Sequence, residues 1–214
     1  MSMDLGYLLS TVIFAAIFVV AVAAQIAARR FHPVLYWTTI IATTTVGTTL
    51  ADFTDRSLGI GYAGGSALLM GLLATALLSW YLMQGSVSVA SVATPRAEIF
   101  YWVTIMFSQT LGTALGDWMA DDAGFGYGGS ALLFGALLGA LTVMHYHTRL
   151  SSTLLFWAAF ILTRPLGAVL GDLLDKPLDA GGFALSRYGA SAALVLVIGV
   201  LLLALPQKAA TASH

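Results

Sequence analysis

Three ten-residue segments with one pattern decide the fold: TTTVGTTLAD at 43–52, SQTLGTALGD at 108–117 and TRPLGAVLGD at 163–172. Each segment ends in an aspartate that follows a small residue, and each has a glycine five residues before that aspartate. A tryptophan stands fifteen residues before each aspartate, at Trp37, Trp102 and Trp157. Three matches of this kind indicate an internal repeat.

The chain around these segments has the composition of a membrane protein. Of its 214 residues 59% are hydrophobic and 9% are charged, and the mean hydropathy is +0.90. Soluble domains carry about 25% charged residues, so this chain lacks the polar surface that water requires. A membrane helix needs roughly 20 mostly apolar residues, and seven segments qualify. They are 5–28, 33–51, 64–83, 99–116, 123–144, 150–171 and 188–207.

The odd-numbered segments begin with a second repeated pattern. It reads GYAGGSALLMG at 61–71, GYGGSALLFG at 126–135 and RYGASAALVL at 187–196, with a weaker copy, GYLLSTVIF, at 6–14. The repeat unit is therefore an even helix, a short acidic loop and an odd helix. Two helices per unit give successive units the same orientation, so the repeats are parallel. We predict an all-α, polytopic transmembrane bundle over 1–214, with repeats at 1–32 (second helix only), 33–94, 95–150 and 151–207, and a polar tail at 208–214.

The positions of lysine and arginine predict the orientation. Arg29 and Arg30 follow the first helix, and Arg96, Arg149 and Lys208 lie on the same predicted side of the bundle. Cytoplasmic connections carry an excess of positive residues. The N-terminus is therefore predicted outside and the C-terminus inside, in a multi-pass arrangement in the cytoplasmic (inner) membrane.

The repeated features resemble a bacterial membrane-protein family built from four tandem copies of a two-helix repeat with a characteristic tryptophan. The resemblance covers nearly the whole chain and rests on the Trp–Gly–Asp triplets and on TRPLGAVLGDLL at 163–174. It implies a bundle of paired membrane helices, and because the family has no assigned function it implies no activity. The first repeat here has only its second helix, and this incomplete repeat predicts a homodimer.

Polar residues stand four and eight positions before most of the three aspartates, and residues three, four, seven and eight apart share one face of a helix. Each aspartate is therefore the last residue of a polar stripe. Polar groups of membrane helices usually face the bundle interior, so three parallel stripes would meet in a vestibule. Rings of aspartate select cations, and oxygen ligands favour hard ions such as Mg²⁺, Mn²⁺ or Ca²⁺. The predicted path residues are Asp52, Asp117, Asp172, Thr44, Thr48, Gln109, Thr113 and Arg164, and the three aspartates are also the predicted metal ligands.

Arg164 is the charged residue within a predicted span, and a guanidinium in lipid needs a partner. We expect that partner to be Asp52 or Asp117 of another repeat. The pair would either lock the bundle or leave Arg164 to act as a counter-charge or as a clamp for a carboxylate substrate. Pro165 is predicted to break or kink the sixth helix.

The other repeated positions are expected to be structural. The glycine five residues before each aspartate is predicted to be a close-packing site. The tryptophans, about 22 Å from the aspartates along the helix, are predicted to anchor the opposite membrane interface. Further acids of the loops, including Asp55 and Asp121, are predicted to cap turns or to reach water.

We expect a membrane transporter or permease for a small cation, either a divalent metal or a proton-coupled solute. Two alternatives remain open: a transporter of small anionic or zwitterionic organic solutes that uses Arg164, and a non-transport membrane scaffold. The expected partners are the lipid bilayer and a small-molecule or ion substrate. The chain has no cysteine, no metalloprotease or phosphate-loop motif and no basic patch, so no enzyme activity, no cofactor beyond a divalent metal and no nucleic acid is expected.

Overall fold

The computed structural model describes residues 6–28, 32–57, 59–89, 92 and 94–204. This part of the chain consists of helices, without a strand, as the sequence predicts. The tail 208–214 and the charges Arg29, Arg30 and Lys208 lie outside the described residues. The seven α-helices are α1 (Gly6–Ala27), α2 (Pro33–Asp52), α3 (Gly61–Gln84), α4 (Pro95–Asp117), α5 (Gly126–His147), α6 (Ser152–Asp175) and α7 (Arg187–Ala204).

Four helices, α1, α3, α5 and α6, are long and apolar enough to cross a membrane. The chain is therefore a membrane protein by the length and composition of its helices. The helix α2 is less apolar because seven of its 20 residues are threonines. Their hydroxyls donate back to the helix, as Thr45 does to the carbonyl oxygen of Ile41 at 2.9 Å. Such bonds satisfy a hydroxyl without help from water.

The even helices, α2, α4 and α6, lie side by side in a row with α4 in the middle. Each odd helix packs on the even helix that follows it in the chain, so α1 packs on α2, α3 on α4 and α5 on α6. The last odd helix, α7, has no following even helix in the described chain and touches α6 only slightly. The helices α2 and α6 are not in extended contact with each other. The row of even helices therefore has two open ends.

The repeated glycines bring neighbouring even helices together. A Cβ atom at Gly47 of α2 would lie 3.1 Å from the backbone nitrogen of Thr110 of α4, and one at Gly112 of α4 would collide with the Cβ atom of Arg164 of α6. The predicted close-packing role is confirmed at these two glycines, since a side chain would push the helices apart. Gly167 of α6 is exposed, and a Cβ atom there would meet nothing within 4 Å.

Two of the three repeated tryptophans are buried and do not lie at the membrane interface, where the sequence predicts them. Trp102 and Trp157 are only 2% and 4% exposed. The indole nitrogen of Trp157 donates to the carbonyl oxygen of Val87 at 2.8 Å. These two tryptophans are buried because neighbouring helices and the loop after α3 cover them, so the prediction is wrong there. Trp37 of α2 is 44% exposed.

Two of the even helices continue into a π-helical turn directly after the repeated aspartate. The turns are Phe53–Ser57 after α2 and Trp118–Asp122 after α4. In the third repeat α6 instead continues as a regular helix to Asp175. Short π-helical turns frequently occur at functional sites, and here they orient the second acid of each loop.

Candidate solute path along the even helices

The end of the bundle where α2, α4 and α6 finish is called the Asp end below, and the end where they begin is the Trp end. Between these ends, the structure brings two predicted path residues together. The hydroxyl of Thr44 donates to Oε1 of Gln109 at 2.7 Å, which links α2 to α4. Gln109 is only 3% exposed, because α2 approaches α4 closely at Gly47. The polar stripes of α2 and α4 therefore meet, as the sequence predicts.

The amide nitrogen of Gln109 is buried and has no hydrogen-bond partner among the described residues. The Nε atom of Arg164 is buried in the same way and also has no partner there. Both groups are N–H donors, and a buried donor without an acceptor costs about 1–3 kcal/mol. The interior of the even helices therefore presents donors for which the described protein groups supply no acceptor.

Two further predicted residues, Thr48 and Thr113, are satisfied by their own helices. The hydroxyl of Thr48 donates to the carbonyl oxygen of Thr44 at 3.1 Å, and that of Thr113 to the carbonyl oxygen of Gln109 at 3.4 Å. Thr48 is exposed and Thr113 is half-buried. Each can line a path, because a hydroxyl that donates to its own helix still accepts hydrogen bonds.

Arg164 lies among aromatic side chains on the Trp side of Gln109. Its guanidinium carbon is 5.0 Å from the ring centroid of Phe160. Tyr36 and Tyr101 share a side-chain hydrogen bond, and both interact electrostatically with the guanidinium. A cation over an aromatic face is stabilised by the ring quadrupole. Aromatic groups of α2, α4 and α6 therefore hold this charge in place.

This arrangement differs from the expected pairing of Arg164 with a carboxylate. Neither Asp52 nor Asp117 is among the groups that act on the guanidinium. The Cβ atom of Arg164 lies against Gly112, which is five residues, or about 7.5 Å, before Asp117 along α4. The guanidinium extends in the opposite direction, toward Phe160 and the two tyrosines at the Trp end. The predicted break at Pro165 is also absent, because α6 runs unbroken from Ser152 to Asp175 with this proline buried.

At the Asp end, two of the three predicted aspartates gather around Tyr127, the second residue of α5. The hydroxyl of Tyr127 donates to Oδ1 of Asp121 at 2.8 Å, and Asp172 and Asp117 lie close enough to act on it electrostatically. The amino group of Lys176 lies 5.8 Å from the centroid of the tyrosine ring. We name these three carboxylates with Tyr127 and Lys176 the Asp-end acidic cluster. It joins α4, α5 and α6 at one level of the bundle.

Asp52 does not belong to this cluster, since it is not among the groups that act on Tyr127. Within the described ranges, no three His, Asp or Glu side chains are arranged to hold a metal ion. The predicted role of the three repeated aspartates as metal ligands therefore stays a prediction. The row of even helices places α2, which carries Asp52, beside α4 and not in extended contact with α6.

Asp55 is a residue whose position the sequence did not predict. It was expected at a solvated boundary, yet it is only 6% exposed. The π-helical turn carries its carboxylate against Gly65, near the start of α3, where any larger residue would collide with Oδ1. The paired glycines at 64–65 were the available signal, because close backbone approach commonly requires glycine. Nearby in sequence, Ser66 and its repeat counterpart Ser130 are buried, with hydroxyls that have no partner among the described residues.

Comparison with known proteins supports the repeat. A family described as Repeat of Unknown Function (DUF347) matches residues 35–86, 100–151 and 155–206. The three matches fall on the three complete two-helix repeats, α2–α3, α4–α5 and α6–α7. Comparison with curated proteins and with solved structures gives no match. Because the matched residues cover more than half of the chain, the protein belongs to the DUF347 repeat family, whose function is unknown.

Proposed function

We propose that this chain is a multi-pass transporter of the cytoplasmic membrane that carries a small solute bearing a carboxylate. The observation that carries the proposal is a pair of buried N–H donors between the even helices, on Gln109 and Arg164, for which the described residues supply no acceptor. A carboxylate accepts several hydrogen bonds and can bind a guanidinium through both oxygens. Lipid offers no acceptor at this depth, so a solute of this class is the chemistry that the donors fit.

The surroundings of Arg164 support the same class of solute. In the part of the chain that the structure describes, the groups that act on its guanidinium are Tyr36, Tyr101 and Phe160, and no carboxylate is among them. An uncompensated charge within a membrane bundle is costly and commonly marks a substrate pathway. An anionic or zwitterionic solute would neutralise the charge when it binds. The sequence pattern favoured a cation, and the geometry around Arg164 favours the alternative.

The Asp-end acidic cluster is proposed to carry the coupling proton. Asp117, Asp121 and Asp172 lie around the hydroxyl of Tyr127, which donates to Asp121, so several groups that can accept a proton lie close together. Asp117 lies eight residues beyond Gln109 on α4, about 12 Å along the axis. A small solute at Gln109 therefore does not reach the cluster, which leaves the cluster free to exchange protons with water.

Thermal unfolding of the detergent-purified protein, with small mono- and dicarboxylates and amino acids, tests this proposal. A ligand present at 100 times its dissociation constant stabilises the folded state by about 2.7 kcal/mol. We expect such a shift with at least one carboxylate, and we expect it to be lost in Arg164→Met and in Gln109→Leu. Thr75→Val is the matched control, because the hydroxyl of Thr75 is exposed and donates to its own helix.

Uptake of the stabilising carboxylate into proteoliposomes then separates transport from binding. We expect uptake by the wild type and by Thr75→Val, and none by Arg164→Met. A protein that no carboxylate stabilises, or that is stabilised equally in all variants, contradicts the proposal and favours a membrane scaffold.

A second candidate, a divalent-cation permease, is favoured by one observation, the three carboxylates of the Asp-end acidic cluster. It predicts stabilisation by Mg²⁺, Mn²⁺ or Ca²⁺ that is lost in Asp117→Asn and in Asp172→Asn and is kept in Arg164→Met. The carboxylate proposal predicts the reverse pattern. The same set of variants therefore decides between the two substrates.

A further inference from the structure

The two ends of the row of even helices carry opposite charges. At the Asp end the described chain has eight aspartates and three basic residues. The aspartates are Asp52, Asp55, Asp117, Asp121, Asp122, Asp172, Asp175 and Asp179, and the basic residues are Arg56, Lys176 and Arg187. At the Trp end the described residues include one acid, Glu98, together with Arg96 and Arg149. A surface of one sign repels a solute of the same sign, so the Asp end disfavours a solute with a net negative charge.

Aromatic rings occupy the Trp side of Arg164. The ring centroids of Tyr36 and Tyr101 lie 6.0 and 5.2 Å from that of Trp102. Rings at these distances are in contact, and Trp102 is buried. The guanidinium of Arg164 lies over the ring of Phe160 on the same side. A solute whose carboxylate is held by Arg164 therefore extends its other end toward the Asp end.

Two threonines on the Asp side of Gln109 offer acceptors to that other end. Thr113 stands one helical turn beyond Gln109 on α4, and Thr48 stands one turn beyond Thr44 on α2, about 6 Å along the axis in each case. Because Thr44 is bonded to Gln109, the two threonines continue the same contact between α2 and α4. Each hydroxyl donates its hydrogen to its own helix, so it offers lone pairs and no second donor. An ammonium group fits such acceptors, and a carboxylate does not.

We infer that the solute is a zwitterion, with its carboxylate at Gln109 and Arg164 and an ammonium group directed toward Thr48 and Thr113. This inference rests on the proposed function and adds the charge of its substrate. The carboxylate supplies the acceptor that the described residues do not give the two buried donors. The ammonium group faces the threonine lone pairs and the acidic end. A net charge of zero lets the solute pass that end without repulsion.

The Asp-end acidic cluster sets the size of the preference for an ammonium group over a second carboxylate. Its nearest member along α4, Asp117, lies four residues beyond Thr113, about 6 Å along the axis. Even about 12 Å apart, two unit charges change a binding constant roughly tenfold at an effective dielectric constant of about 20. Replacing the ammonium group by a carboxylate reverses the sign of this interaction. A zwitterion should therefore bind at least about tenfold more tightly than a dicarboxylate of the same length.

Isothermal titration calorimetry of the detergent-purified protein tests the inference with 4-aminobutyrate, butyrate and glutarate. The three compounds share one carboxylate and the same three-carbon chain, and only the group at the far end differs. We expect 4-aminobutyrate to bind at least about tenfold more tightly than glutarate, with butyrate between them. The ionic strength is kept constant, because salt screens charges near the surface.

Thr113→Val tests the position of the ammonium group, because valine keeps the shape of threonine and removes the hydroxyl. We expect this variant to bind 4-aminobutyrate at least about fivefold more weakly, through one lost hydrogen bond, and to bind butyrate as the wild type does. Unchanged binding of butyrate also shows that the variant is folded. Thr75→Val on α3 is the matched control, because it removes an exposed hydroxyl that donates to its own helix.

Two results would overturn the inference and leave the proposed function in place. The first is binding of glutarate or butyrate that is as tight as that of 4-aminobutyrate. The second is equal binding of 4-aminobutyrate by Thr113→Val and by the wild type. If the wild type binds none of the three compounds, or if Arg164→Met binds them equally well, the proposed function fails and the inference fails with it.

Discussion

Gly112→Ala and Gly167→Ala make the same chemical change at equivalent positions of two repeats, and we expect them to change stability in opposite directions. At Gly112 the new Cβ atom would collide with the Cβ atom of Arg164 and would lie 3.2 Å from two of its backbone atoms. Backbone atoms cannot move without separating α4 from α6. At Gly167 the same atom meets nothing within 4 Å. The two sites therefore differ in packing and not in helix propensity.

The magnitude follows from two terms. Overpacking a close contact costs about 1–3 kcal/mol, and replacing glycine by alanine inside a helix contributes about 0.8–1 kcal/mol in the other direction. Gly112→Ala should therefore lower the free energy of unfolding by up to about 2 kcal/mol. Gly167→Ala should raise it by up to about 1 kcal/mol. The helix term cancels between the variants, so their difference, about 1–3 kcal/mol, measures the overpacking term alone.

Denaturant unfolding in detergent micelles, followed by tryptophan fluorescence, measures both free energies. Gly47→Ala is a useful third variant, because its nearest atom would lie at 3.1 Å and a small shift can relieve it. We expect its stability to fall between those of the other two. Equal stability of Gly112→Ala and Gly167→Ala would refute the reasoning, since it would mean that the α4–α6 contact is not as close as the structure has it.

Three further substitutions test individual contacts. Gln109→Leu should change the free energy of unfolding by less than about 1 kcal/mol, because it removes an unpaired amide together with one hydrogen bond; a larger loss in denaturant unfolding would mean that the amide is satisfied. Tyr127→Phe should cost roughly 1 kcal/mol through the lost bond to Asp121. In the Asp121→Ala background, which has no acceptor, the same substitution should cost nothing further in the same assay. Trp157→Phe should lower the melting temperature because it removes the donor to the carbonyl oxygen of Val87 from a buried site. Trp37→Phe, at an exposed position, should not, and similar shifts for both would contradict the burial difference.

Much of the fold could be predicted from local sequence patterns. Runs of apolar residues define the seven helices, because each membrane helix satisfies its own backbone hydrogen bonds and needs no neighbour to form. The repeat of Gly47 and Gly112 predicted close contacts between helices, and these contacts are present. The hydrogen bond between Thr44 and Gln109 could be predicted in the same way, since both residues lie on predicted polar stripes.

The burial of Asp55 and the neighbours of Arg164 could not be predicted in this way. Asp55 is buried because a π-helical turn carries its carboxylate against Gly65. The paired glycines at 64–65 signal a close contact, but they do not say that Asp55 is the residue that makes it. Arg164 was expected beside a carboxylate because of charge alone. In the structure its neighbours are Tyr36, Tyr101 and Phe160. Which residues these are depends on the axial position of α6 relative to α4.

The sequence by itself determined that the chain is an all-helical membrane protein of parallel two-helix repeats, because hydropathy and repeated spacing are properties of single segments. Tertiary structure alone decided the order of the row, with α4 between α2 and α6. It also decided that Gly112 is covered while Gly167 is open, although the two stand in the same local sequence. The physical reason is that a packing surface is a property of two helices, and the pattern of one helix does not say whether the second is there.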